Sequence, residues 1–523
     1  MRDFHKPHRS SVFAQDAMVA TSHPIGSKTA LDIIAKGGNA MDAAISAAIV
    51  LGLCEPQMTG LGGDCFVLFT PPNSNDIKAI NGSGRAPAGL SAAKLRAEGH
   101  DTIPLHHASA VTIPGAVDAF ARLSKDWGKL PWDVLLQPSM HYAEHGIPVT
   151  PRVAFDWAEG LEALQGSARD QFLKGGEVYK TGELFRDPRQ LKLLRHLAEH
   201  GRDGFYTGTV AEEMVATLNA AGGMHTMDDF SSTQCDYTQP VSGTYGDLEV
   251  VEHPPNGHGA TAILMMNMMK RFDIKSMDPF GAERVHIEAE IAKLAYDARN
   301  RFIADTGTPT DYLLSQDTAD RLCDLIDPKQ AMADPKAISE AVHKDTIYIT
   351  VVDKNRMSVS LIYSVFHGFG SGIATPNYGV LFQNRGAGFT LEEGHPNEAA
   401  GGKRPMHTII PGIVKKAGRV LMPFGVMGGA YQPNGHARLI SNMVDFDMSV
   451  QDAIDAPRSF ADKGTLKVER GYSDDVRNEL TGLGHTVDVP DTPIGGAQAI
   501  VLHDNGVLEG GSDPRKDGCA LGI

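Results

Sequence analysis

Asp345-Thr346-Ile347-Tyr348-Ile349-Thr350-Val351-Val352-Asp353 is the stretch on which the reading of this chain turns. Thr, Ile, Tyr and Val suit a pleated surface, and they run without a break from Thr346 to Val352. Asp353-Lys354-Asn355-Arg356 supplies turn residues, and a second apolar run, Met357 to Phe366, follows as a hairpin partner. That run closes into the glycine-rich segment Phe366-His367-Gly368-Phe369-Gly370-Ser371-Gly372, and a glycine pair comes later at Gly428-Gly429. A hydroxyl residue thus opens a central strand.

Thr346 has two readings. The local residues alone favour a plain strand threonine. As a nucleophile it would need a base within hydrogen-bond reach, because a Thr hydroxyl is weak by itself. Cleavage between Asp345 and Thr346 would supply one. An α-amine, with a pKa of roughly 7.7–8.0, is substantially neutral near neutral pH, whereas a lysine at roughly 10.4 is mostly charged. Cutting there would put nucleophile and base on one residue.

At 523 residues, length alone suggests about three domains, yet no Pro/Ser-rich linker, low-complexity tract or repeat divides the chain. The net charge of −16 argues against nucleic acid and anionic membranes as partners. The N-terminal stretch from Met1 to Arg9 is positive but has no apolar run after it, and no later segment reaches the roughly 20 apolar residues of a membrane span. The nearest, Ala43 to Leu53, is Ala-rich and reads as a buried helix. Cys54, Cys65, Cys235, Cys323 and Cys519 are odd in number and lack CxxC spacing, so reduced, mostly buried thiols in a cytoplasmic protein are expected.

Ser27 is expected to cap a helix through Lys36 that Gly37-Gly38 ends, and Asn39 to cap the next, with Asp42 in its first turn. The glycines from Gly60 to Gly63 lack the Gly-Lys-Ser/Thr ending of a phosphate loop and read as a tight turn before a strand, Phe66 to Phe69. His253 and His258 flank the turn Pro-Pro-Asn-Gly, no HExxH pair exists, and neither a metal nor another cofactor is expected.

Ordered motifs run along most of the chain: Met18-Val19-Ala20-Thr21-Ser22-His23-Pro24, Gly37-Gly38-Asn39-Ala40-Met41-Asp42-Ala43-Ala44, Glu55-Pro56-Gln57 and Gly60-Leu61-Gly62-Gly63-Asp64. Pro114-Gly115-Ala116-Val117, Gly146-Ile147-Pro148-Val149, Gly370-Ser371-Gly372, Lys403-Arg404-Pro405, Gly425-Val426-Met427-Gly428-Gly429 and Ser512-Asp513-Pro514-Arg515 continue the series. In these the chain resembles the γ-glutamyltransferase family. The resemblance implies an α/β fold, a four-layer α/β/β/α sandwich of the N-terminal-nucleophile hydrolase type. It implies a precursor cut into a large piece, 1–345, and a small piece, 346–523, interlaced in one unit, alone or as a dimer of such heterodimers. Many members are exported, which gives the missing signal its weight. The substrate class implied is a small-molecule amide.

Carried over by position, Thr346 matches the nucleophile, first in self-cleavage and then in turnover. Ser364 falls where a second threonine usually supports it, and keeps the hydroxyl. Gly428 and Gly429 match the pair whose amides form the oxyanion hole, donors worth about 3–4 kcal/mol each to a transition state.

The pocket departs from the family. Its carboxylate-clamping arginine falls on Ser83, with Arg85 near enough to substitute only in part. The asparagine after the supporting hydroxyl becomes Phe366. The glutamine and aspartate that hold an α-amino group become Arg385 and Gly388, and the two serines after Lys-Arg-Pro become His407 and Thr408 or their close neighbours. Gly388 offers an amine no acceptor, whereas Arg385 offers planar donors to a carboxylate. The expected substrate therefore has a carboxylate on its acyl side and no α-amine. Oxamate fits, as does a larger acyl amide of the kind cephalosporin acylases take. The alternative is a true γ-glutamyltransferase acting on glutathione, with Arg385 a structural charge. A shortened stretch from Thr390 to Lys403 points to an open site and to hydrolysis rather than transfer. A processing-deficient binding homologue would stay uncut, and a serine or cysteine hydrolase would need a GxSxG elbow or a Cys–His pair that the sequence lacks.

Overall fold

The apolar residues of the strand Asp345–Val352 divide between two environments, as those of a strand buried on both faces must. Ile347, Ile349 and Val351 join a large core with residues of the helix Ala40–Cys54. On the opposite face Tyr348 packs with Phe66, Ile362, Ile409 and Met427. The computed structural model describes residues 5, 8–333 and 345–523, with Asp345 by its backbone; most of the stretch from Met1 to Arg9 lies outside them.

Two seven-stranded antiparallel sheets carry these faces among the described residues. The first runs Cys519–Gly522, Met18–Thr21, Asp345–Val352, Ser358–Phe366, Asp64–Phe69, Lys78–Gly82, Asp236–Thr238. The second runs Val12–Ala14, Leu508–Ser512, Gly496–Leu502, Arg419–Met427, Gly412–Lys416, Leu248–Glu252, Val241–Tyr245. Both sheets therefore mix strands from before and after position 345.

The sheets meet at polar as well as apolar contacts. Ser360 Oγ–H donates to the Phe424 carbonyl at 3.1 Å across the interface, which leaves Tyr348 Oη–H to donate to Ser360 Oγ at 2.6 Å. Gly425 makes room for the tyrosine, since a Cβ there would lie 2.3 Å from its ring. On the outer face of the second sheet, Val250, Val414, Phe424, Val426 and Ala497 share a core with the helices Gly259–Met269, Ala282–Phe302 and Gln432–Asp445. The result is the α/β/β/α sandwich.

One helix boundary is corrected. The first long helix is Pro24–Ala35, capped by His23, whose Nδ1 accepts the Ile25 N–H at 3.2 Å, so Ser27 is interior. Ser27 Oγ instead donates to the Cys519 carbonyl at 2.8 Å and ties the helix to an edge strand. Gly37, at φ +95°, ends that helix, and Asn39 with Asp42 forms a full capping box for Ala40–Cys54. The stretch from Ala43 to Leu53 is the buried helix expected. The tight turn is present, with Gly63 N–H donating to Gly60 O at 2.8 Å, and the strand after it begins at Asp64. A Cβ on Gly62 would lie 2.0 Å from Leu381 O, and one on Gly63 2.4 Å from Ser364 O, so close backbone packing is what these glycines serve. All five cysteines are free, with Cys54, Cys65 and Cys323 buried. Among the described residues no helix is long and apolar enough to cross a membrane.

Candidate active site

Thr346 sits at an irregularity of its hairpin. Asp345 pairs with Phe366 but Ile347 pairs with Tyr363, so Ser364 and Val365 together oppose Thr346. Such a bulge re-aims side chains. Here it turns two buried hydroxyls to each other, and Thr346 Oγ1–H donates to Ser364 Oγ at 3.4 Å. Ser364 Oγ also accepts the Phe366 N–H at 2.8 Å. Phe366 itself has φ +83°, a left-handed backbone that a bulky side chain rarely adopts.

On its other side Ser364 pairs with Asp64, a residue to which the sequence reading gave no role. Asp64 is fully buried and collects donors from distant parts of the chain. Its Oδ1 accepts from the Gly84 amide at 2.9 Å, the Gly115 amide at 3.1 Å and Gln383 Nε2 at 2.9 Å. His407 Nε2 lies 3.2 Å from its Oδ2. Burial pushes the Asp64 carboxyl up to about 6, while the Arg385 charge and these hydrogen bonds oppose the shift. Burial, with Arg385 next, holds His407 well below the ordinary histidine range, so the imidazole is neutral and donates through Nε2–H. An acid heading an apolar strand directly after Gly-Gly was the signal that could have singled out Asp64.

Arg385 begins the turn Arg385–Gly388 and is buried. Its Nη1 donates to Thr408 Oγ1 at 2.8 Å, and its guanidinium lies 3.9 Å from the Phe366 ring centroid. The structure thus gathers Arg385, Phe366, His407 and Thr408 beside the Thr346–Ser364 pair. It does not bring the Arg85 side chain there. That half-exposed group donates to Asp305 Oδ2 at 3.1 Å and to Gly402 O at 3.0 Å. Ser83, buried, is engaged by Asn81 Oδ1 at 2.6 Å.

Gly428 and Gly429 follow the strand Arg419–Met427 at φ +123° and +55°, conformations that favour glycine. Contacts between the facing sheets step along both strands together. Ser360, which pairs with Thr350, reaches Phe424, and Tyr348 lies against Gly425. Tyr348, two residues beyond Thr346, also packs with Met427, the residue just before the glycine pair. A cleft of about 730 Å³ adjoins, lined by Phe366, His367, Gly388, Arg299, Asn300 and Lys463 among others. Thr390, Glu392 and His395 form one wall, and Asn397 Nδ2 ties that loop to Gly388 O at 2.7 Å.

The family model described as Gamma-glutamyltranspeptidase matches residues 26–523. The glutathione hydrolase-like YwrD proenzyme of Bacillus subtilis is 34% identical over 98% of this chain and 99% of its own length. The oxamate amidohydrolase proenzyme of Klebsiella pneumoniae is also 34% identical, over 98% of this chain and all (100%) of its own. The crystal structure of cephalosporin acylase from Bacillus halodurans superposes with a TM-score of 0.92 at 34% identity, covering 100% of this chain and 98% of that one.

Proposed function

This chain belongs to the gamma-glutamyltranspeptidase family and is an enzyme of the N-terminal-nucleophile amidohydrolase type, and from that premise we propose that it matures by cleavage between Asp345 and Thr346 and then hydrolyses an amide whose acyl group carries a carboxylate. Thr346 Oγ attacks the amide carbonyl, and its own α-amine takes the hydroxyl proton and passes it to the departing amine or ammonia. The Gly428 and Gly429 amides hold the oxyanion, Ser364 orients the nucleophile, and water releases the acyl group from the threonine ester.

The observation that carries the substrate reading is Arg385. Its buried guanidinium, fixed between Phe366 and Thr408, supplies a planar cation, and Gly388 supplies no side-chain acceptor for an amine. Oxamate has the matching carboxylate. The cleft favours a second reading on size. At about 730 Å³ it lies within the roughly 300–1,000 Å³ of pockets for drug-sized ligands, which suits a bulkier acyl or leaving group.

Two measurements test this. Purified Thr346→Ala should run as one uncut chain on a denaturing gel and be inactive; a variant that still splits overturns the assignment of Thr346. Processed wild-type protein should turn over oxamate or dicarboxylic monoamides faster than γ-glutamyl anilide or glutathione, and the reverse order overturns the reading of the pocket.

A further inference from the structure

His286 and Glu290 lie one turn apart on the helix Ala282–Phe302, and His485 meets them from the chain just beyond the helix Asp474–Gly482. All three are buried, and their ligating atoms lie within 4.8 Å of one another. None belongs to the group around Thr346. His286 Nδ1 is 2.8 Å from His485 Nε2, and His286 Nε2 is 2.9 Å from the Asp327 carbonyl oxygen. A carbonyl only accepts, so His286 keeps its proton on Nε2 and turns the Nδ1 lone pair toward His485. A histidine whose far N–H is held by a backbone carbonyl is oriented as metal-ligating histidines are.

We propose that His286, Glu290 and His485 bind one divalent ion of the zinc class. Two imidazoles and a carboxylate form a borderline donor set that suits zinc better than magnesium or calcium. Zn–N distances of roughly 2.0–2.1 Å put two tetrahedral nitrogens roughly 3.3 Å apart, so the 2.8 Å histidine pair opens by only about 0.5 Å. His485 shifts its Nε2 proton to Nδ1, both rings stay neutral, and no proton is released. The competing cation is Lys293, whose Nζ donates to Glu290 Oε1 at 2.7 Å and to Met332 O at 3.0 Å. Lys293, Met332, Gly484 and His485 line an adjoining cavity of about 150 Å³, which has room for the displaced ammonium and for a water as fourth ligand.

The site spans the proposed cleavage point. His286 and Glu290 precede residue 345, and His485 follows it. Asp327 O on His286 and Met332 N–H on Glu290 Oε2, at 2.9 Å, fasten the chain ahead of that point to the same cluster. In a cut chain the ion joins the two pieces, a consequence that rests on the proposed processing although the binding itself does not.

Zinc titration by calorimetry, with Co²⁺ absorption as an independent readout, should be run on metal-stripped wild-type, Thr346→Ala, His485→Gln and Lys293→Met chains. One ion per chain is expected in wild type and in Thr346→Ala. Loss of the imidazole should weaken binding at least about 100-fold, and loss of the ammonium should tighten it about tenfold. No stoichiometric binding at micromolar zinc in wild type or Lys293→Met overturns the proposal, as does unchanged affinity in His485→Gln. Should His485→Gln fail to fold, Lys293→Met decides alone. Splitting of Thr346→Ala would sink the processing reading while leaving the ion site standing.

Discussion

The Arg385 guanidinium lies 3.9 Å from the centroid of the Phe366 ring while its Nη1 donates to Thr408 at 2.8 Å. A flat cation held between a ring and a hydroxyl is oriented before substrate arrives, and lysine cannot reproduce that plane. Arg385→Lys should therefore keep the charge yet raise KM for carboxylate-bearing amides about 10- to 100-fold, the worth of a charge-assisted hydrogen bond of about 1.5–3 kcal/mol. The effect on kcat should be smaller. Unchanged KM for every carboxylate-bearing substrate in a steady-state assay would remove Arg385 from the site.

Phe366 holds φ +83°, a region that costs a residue without a glycine's freedom about 1–3 kcal/mol. Asparagine tolerates such backbone far better. Phe366→Asn thus relieves strain but empties the space beside Arg385, where loss of a large buried side chain costs about 3–5 kcal/mol. The net expectation is a loss of about 2 kcal/mol in urea unfolding. Activity should move toward γ-glutamyl anilide and away from oxamate, since the asparagine amide offers an amine an acceptor.

The parts of this fold legible in the sequence are those written in local pattern. The unbroken β-forming run after Thr346, the Ala-rich helix and the Asn39 cap each depend on neighbours in the chain. His23 escaped because histidine is an unusual cap, and Ser27, a better one on paper, is taken by Cys519 O across the fold. Asp64 escaped for a stronger reason. Its donors come from Gly84, Gly115, Gln383 and His407, which only the folded sheets assemble. On sequence, Arg85 stood as a partial substitute for the family's clamping arginine and Arg385 as the partner of a substrate carboxylate. Burial separates them, since one is half-exposed against Asp305 and the other is enclosed beside Phe366.

Gly428 has φ +123°, and a Cβ on it would come 3.0 Å from Gly495 Cα. Gly428→Ala must therefore rotate the peptide, and with it the amide proposed to hold the oxyanion. A fall in kcat of about 10²- to 10³-fold is expected, the scale for losing one such donor, with KM changed little. Slower self-cleavage should accompany it on a denaturing gel, because both proposed reactions pass through the same kind of tetrahedral intermediate. A variant that folds, cuts and turns over at the wild-type rate would take Gly428 out of the oxyanion hole.

Asp64 carries a cost that depends on pH. Burial raises its carboxyl from 3.8 to about 6, and Arg385, Gln383 and the Gly84 and Gly115 amides reduce that rise without cancelling it. A group that holds its proton more tightly folded than unfolded adds stability as pH falls through about 6, levelling off below 3.8. Above about 6 the buried carboxylate costs the fold roughly 3 kcal/mol. Glu55, raised to about 7 by burial against the pull of Lys516 and Ser22, slopes in the same direction, so the informative quantity is a difference between chains. Asp64→Asn keeps an oxygen for the three N–H donors and turns its amide to His407, whose Nε2 becomes the acceptor by a change of tautomer. Urea unfolding should find the two chains equal only below about pH 3.8, where the carboxyl is protonated folded and unfolded, and the variant ahead by about 1.6 kcal/mol near pH 5, where only the unfolded carboxyl has ionised. Near pH 7.5 the variant should be more stable by up to roughly 3 kcal/mol. A difference that stays the same near pH 5 and near pH 7.5 would mean that Asp64 is charged throughout, with the pull of Arg385 outweighing burial.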